Sequence, residues 1–121
     1  MLSILKNLAA IVLFPPIVAS SQERPLTPDD VKNQWVGKVV VGSTTSGTPV
    51  ELKLQPDGSA SVVAGKTSDT GTWRPFEQGF CTTWKKIRAS EERCFTGIVQ
   101  GSTVKVFNPD GSAAGQYSEF R

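Results

Sequence analysis

From Pro49 to Gln55 the chain alternates without a break: Val50, Leu52 and Leu54 fall on one face, Glu51, Lys53 and Gln55 on the other. A period of two belongs to a β-strand with one face in the core and the other in water. Similar runs recur along the chain. Lys38 to Gly42 is rich in valine and Ser59 to Ala64 is a strand of small residues. Thr70 to Phe76, Phe80 to Lys86, Arg93 to Val99, Thr103 to Phe107 and Ala113 to Phe120 complete the series. Turn residues separate the runs at intervals of about 8–12, which predicts about eight strands in one antiparallel meander. Such a meander must hide its edges, and closing on itself does so. The expected fold is therefore all-β, a small antiparallel up-and-down barrel preceded by one short helix. Ala60, Ala64, Gly97 and Gly115 are small enough for its tight corners.

The helix is predicted where the period of two fails. Thr27 is placed as an N-cap, Pro28 suits the first helical position, and Asp29 and Asp30 sit at the positive end of the dipole. Val31, Gln34 and Trp35 follow, and Gly37 ends the segment after about two turns. Val31 and Trp35 are expected to lie over an open end of the sheet. Gln22 to Pro28 reads as a polar, mobile lead-in. Met1 to Ser21 holds one lysine (Lys6), an apolar run from Leu8 to Val18 and then Ala19, Ser20 and Ser21. That is the pattern of a secretory signal peptide, and with Pro15-Pro16 inside it the run is a poor membrane span. The expected organisation is a signal peptide over 1–21 and a single barrel domain over 22–121, periplasmic or secreted.

Turn chemistry supplies an internal repeat. Leu54-Gln-Pro-Asp-Gly-Ser-Ala and Phe107-Asn-Pro-Asp-Gly-Ser-Ala match at five consecutive positions, Pro56 to Ala60 and Pro109 to Ala113. Proline and aspartate suit the centre of a type I turn and glycine the left-handed position after it, so both copies are read as hairpin turns. A calcium or catalytic pair of Asp57 and Asp110 is the competing reading. Gly42 to Gly47 and Gly65 to Gly71 are read as flexible loops.

Both cysteines, two of the three tryptophans and three of the six phenylalanines fall between Gly71 and Val99. If Cys81 bonds Cys94, the two lie opposite each other on antiparallel strands, which pairs Phe80 with Phe95 and Trp84 with Glu91. Alternation then puts Phe80, Trp84 and Phe95 on one face and the sulfurs on the other. The aromatic face is the core candidate. The spacing differs from the Cys-x-x-Cys of a redox pair, so the disulfide is read as structural.

Charge and composition narrow the chemistry. Without Lys6, 12 basic residues face 11 acidic ones, which leaves no electrostatic footprint for nucleic acid. Histidine is absent, and with it the commonest catalytic base and metal ligand. Neither a catalytic set nor a metal or cofactor site can be assembled from what remains. Glu91 and Glu92 are adjacent and point to opposite sides, and the serines cluster in turns.

The motifs Gly71-Thr72-Trp73, Cys81-Thr82-Thr83-Trp84 and Cys94-Phe95, with the Asp-Gly hairpins, resemble a broad group of small secreted bacterial proteins with a lipocalin-like barrel and mostly no known function. The resemblance runs from about Leu26 to Phe120 and implies a fold, not a chemistry. In size and layout the chain is also similar to secreted barrel inhibitors of bacterial metalloproteases, whose flexible N-terminal arm enters the protease cleft. Its cysteines are placed differently from theirs.

These readings lead to a non-enzymatic binding module, expected to be a monomer, for a small apolar molecule or an envelope component. The alternative is a protein-binding inhibitor or envelope-associated interaction protein. Trp35, Trp73, Trp84 and Tyr117 are the candidate ligand-binding residues, beside Phe80 and Phe95. Most of these are equally suited to fill a barrel of this size as core. The site is expected at a mouth near Trp35 and the two glycine-bearing loops. Lys85, Lys86, Arg88 and Arg93 form a second candidate, an anion-binding hairpin tip with Glu91 and Glu92 among them.

Overall fold

The computed structural model describes residues 22–121; the segment read as a signal peptide lies outside them. The chain enters through β1 (Arg24–Pro25) and α1 (Pro28–Asp30), whose helical path widens over Val31–Trp35. Eight strands then follow one another: β2 (Val39–Thr44), β3 (Pro49–Leu54), β4 (Ser59–Ala64), β5 (Thr67–Phe76), β6 (Gly79–Trp84), β7 (Arg93–Gln100), β8 (Thr103–Phe107) and β9 (Ala113–Phe120). Each pairs antiparallel with the next, and β9 returns to pair with β2, so the sheet closes. This is the up-and-down barrel that the alternation predicts. Along β3 the burial pattern is strictly alternating, with Val50, Leu52 and Leu54 inside.

One end of the barrel is plugged. The Thr27 hydroxyl accepts from Asp30 N–H (3.1 Å) and the Asp30 carboxylate accepts from Thr27 N–H (2.9 Å), a reciprocal cap that starts the helix. Arg24 adds an ion pair to the same carboxylate at 2.7 Å. At the other end of the helix Val36 N–H donates to Val31 O, one residue further than an α-turn reaches. Gly37, at φ +82°, then turns the chain and donates to Leu54 O (2.8 Å). This path sets Trp35 beneath the barrel, 1 % exposed, with its ring 5.3 Å from Phe80, 5.4 Å from Tyr117 and 5.6 Å from Phe120. Edge and tilted ring contacts of this kind bury large apolar area.

Several expectations are corrected. The lead-in is not free from Arg24 onward: β1 pairs with Ile98 and Val99, Leu26 N–H donates to Gly97 O (2.9 Å), and Leu26 is buried. A side chain at position 97 would strike Leu26, so the missing Cβ of Gly97 is what lets this anchor seat. The tracts read as loops are mostly strand, because Gly42–Thr44 lie in β2 and Thr67–Gly71 in β5. The predicted register holds for Phe80–Phe95 and Cys81–Cys94 but ends at Thr82–Arg93, so Trp84 does not face Glu91. Beyond it β6 continues only against β5, where Trp84 lies opposite Gly71.

The disulfide joins Cys81 to Cys94 with Cα atoms 3.9 Å apart, the close approach of a non-hydrogen-bonded antiparallel pair. It lies on the outer face, where Arg74 bridges to Glu92 at 2.8 Å beside the Cys94 sulfur. Glu92 and the two sulfurs are mutually close, but sulfurs bonded to each other offer no thiolate to a metal.

The two Asp-Gly turns are near copies. Asp57 Oδ1 accepts from Ser59 N–H (2.9 Å) and Oγ (2.7 Å), and Asp110 Oδ1 accepts from Ser112 N–H (2.9 Å) and Oγ (2.6 Å). Gly58 and Gly111 share φ +89°. They close hairpins at opposite ends of the barrel, so the aspartates form no joint site.

Candidate functional site

The end opposite Trp35 is built from the turns at 44–48, 65–66, 85–92 and 108–112. Below them the barrel holds a cavity of about 170 Å³. Its wall is apolar, with Val50, Val62, Phe80, Phe95 and Val106 among the lining side chains. Phe80 and Tyr117, which rest on Trp35, also line it, so the plug supports the cavity from below. Trp84 lies in the wall and is 5 % exposed.

Polar residues interrupt this wall: Thr82, Arg88 and Tyr117, with Ser43, Thr44 and Gln116 beside them. Thr82 is 2 % exposed, and its hydroxyl has no hydrogen-bond partner among the described residues. A buried hydroxyl without a partner forfeits about 1–3 kcal/mol of solvation, so its retention at this position calls for a reason. The half-buried Arg88 guanidinium lies over the Phe95 ring, 5.2 Å from its centroid. Among the described residues the ion pairs are Arg24–Asp30, Arg74–Glu92 and Arg121–Glu119, and none includes Arg88. Burial lowers the affinity of Arg88 for its proton and the positive charge of Arg93 lowers it further, while Tyr117 opposes both. Arginine stays charged under such shifts. Burial also pushes the Tyr117 phenol up to about 12, against the pull of Arg88, so the phenol is neutral in ordinary conditions.

Arg88 reaches the cavity because its backbone is held in an unusual form. Arg88, Ala89 and Ser90 have φ values of +57°, +53° and +65°, three non-glycine residues in the left-handed region in succession. Each such residue costs roughly 1–2 kcal/mol relative to the right-handed form. Asp69 supplies the counterweight. Its carboxylate, 6 % exposed, accepts from Thr70, Lys86 and Ile87 N–H, each at 2.8 Å, and so clamps the base of this turn to β5. Burial raises the Asp69 pKa, but the three amides outweigh it and hold the carboxyl below its ordinary value. The Ser90 hydroxyl donates to Lys85 O at 2.7 Å and closes the turn on itself.

No family model, characterised protein or solved structure matches this chain at a significant level. The site therefore has to be read from its own groups.

Of the four candidate ligand-binding residues, the structure brings Trp84 and Tyr117 to the cavity. Trp35 lies under its floor, at the end opposite the 44–48 and 65–66 turns. The expected mouth joined features that occupy opposite ends. Trp73 shares the end of Trp35, where its indole N–H donates to Gln55 O at 2.7 Å. The tip cluster also divides. Arg88 turns inward, Glu92 leaves for Arg74 on the outer wall, and Lys85 and Lys86 stay exposed. Neither Thr82 nor Asp69 is among the expected site residues. For Thr82, its parity with Phe80 and Trp84 already pointed inward, where a hydroxyl is out of place.

These groups set the response to pH. Asp30 is lowered from an ordinary 3.8 to about 2, chiefly by its hydrogen bond from Arg24, and Asp57, Asp69, Glu92 and Asp110 are also lowered. A depressed carboxylate contributes stability that is present above its unfolded value and lost as pH falls towards its folded one. Tyr117 is raised from 10.0 to about 12, so its contribution is present below 10.0 and lost as pH rises towards about 12. Histidine is absent between these limits. The melting temperature is expected to be level from about pH 5 to 9, falling below about pH 4 and above about pH 10. Thermal scans in matched ionic strength check this; a step between pH 5.5 and 7.5 would contradict it.

Proposed function

We propose that this chain is a non-enzymatic binding module that holds a small molecule with an apolar body inside its barrel. The cavity of about 170 Å³ carries this reading, because a filled core would close that space against Val62 and Phe80. Dry cavities of about 150 Å³ with such linings accept benzene-sized guests. The module acts as a monomer in an oxidising compartment, periplasmic or secreted, which agrees with its disulfide. No described helix is long and apolar enough to cross a membrane. The inhibitor alternative would act through the N-terminal arm or the long loops; the chain is paired from Arg24 onward, which supports the cavity over the arm.

Neutral probes test the reading. Benzyl alcohol and 1-hexanol are expected to raise the melting temperature saturably in wild type and to have no effect in Ala64→Leu, which fills part of the cavity. Equal shifts in both proteins, or none in wild type, would reject the cavity as the binding site.

A further inference from the structure

We infer that the ligand of this cavity is a compact monocarboxylate, its apolar body among Val50, Val62, Phe80 and Val106 and its carboxylate on Arg88 and the Thr82 hydroxyl. The inference rests on the cavity being a ligand site, and it adds the charge.

The case begins with what the polar groups lack. Arg88 presents a guanidinium to an apolar space, and no carboxylate of the described residues meets it. Arg93 lies near enough to weaken its hold on a proton, so a second cation adds to the positive field there. Arg93 in turn acts on Asp110, whose Oδ1 is already engaged by Ser112. Glu92, four residues further on, is bound to Arg74 outside the barrel. A guanidinium is a planar fork that matches a carboxylate with paired hydrogen bonds.

Thr82 is the independent observation. This residue lines the same cavity and is 2 % exposed, and its hydroxyl has no hydrogen-bond partner among the described residues. An anion seated on Arg88 would offer the acceptor that this hydroxyl lacks. The remaining wall sets the rest of the ligand. Apart from Ser43, Thr44 and Gln116 it is mainly aliphatic and aromatic, and about 170 Å³ admits a body the size of benzoate or hexanoate. Inorganic phosphate has the charge but would leave the apolar wall empty.

The test is calorimetric titration of the full barrel with acid and alcohol pairs of matched shape, sodium benzoate against benzyl alcohol and sodium hexanoate against 1-hexanol. Wild type is expected to bind at least one acid about tenfold or more tightly than its alcohol, as a charge-assisted hydrogen bond allows. In Arg88→Gln that preference is expected to vanish while alcohol binding persists, and Arg88→Lys should restore part of it. Thr82→Val, which keeps the shape, should weaken the acid several-fold and raise the melting temperature of the empty protein. The exposed Lys85→Gln should change neither. Acid and alcohol bound equally by wild type would overturn the carboxylate while leaving the cavity reading intact. Alcohol and acid both failing to bind would overturn the two together. An acid preference that survives Arg88→Gln but is lost in Lys85→Gln would move the anion to the outer loop and end this assignment.

Discussion

Trp35→Ala is expected to destabilise the barrel by about 3–5 kcal/mol, the range for truncating a fully buried aromatic residue. The indole is the contact between the helical plug and the sheet. Its ring touches Phe80, Tyr117 and Phe120, and Val31 is buried with it as part of the same core. Removal leaves a void that these rings fill only in part, because each is fixed by its own strand. Urea unfolding should show a lower midpoint with an unchanged slope. The near-ultraviolet signal of Tyr117 and Trp84 should weaken as well, since the cavity floor loses its support. Trp35→Phe, which keeps an aromatic surface, should retain a larger part of the stability. A loss below about 1 kcal/mol for the alanine variant would mean that the helix is an ornament and not a plug.

The disulfide is the second large contribution. Closing a loop of 13 residues is worth on the order of 3 kcal/mol, mainly by restricting the unfolded chain. The double variant Cys81→Ala, Cys94→Ala should melt roughly 12–24 °C lower, given about 4–8 °C per kcal/mol for a domain of this size. Its interior should be intact, because the sulfurs lie on the outer face and Phe80 and Phe95 pack on the inner one, 5.6 Å between centroids. Near-ultraviolet circular dichroism below the transition should therefore match wild type. A melting temperature within about 4 °C of wild type would show that the β6–β7 ladder alone already fixes the hairpin.

What the chain declared by itself was whatever depends on near neighbours. Alternation along Val50, Leu52 and Leu54 and the two Asp-Gly turns located the strands, with β4, β8 and β9 placed to the residue. The Thr27 cap and Gly37 located the helix, and parity alone put Phe80, Phe95 and Trp84 on the inner face of the sheet and the cysteines on the other. Period, turn geometry and capping act over a few residues, so a sequence displays them. Closure is different. Which end Trp35 plugs, and hence its separation from the mouth turns, follows from the direction in which the helix enters the closed sheet. The clamp of Asp69 on Lys86 and Ile87 joins residues that only the β5–β6 pairing brings together. Least legible was Arg88. Nothing in Ile-Arg-Ala-Ser marks three left-handed residues, because each of them disfavours that form on its own. The turn exists only where Asp69 and the barrel rim hold it, and the rim is made by strands distant in the chain.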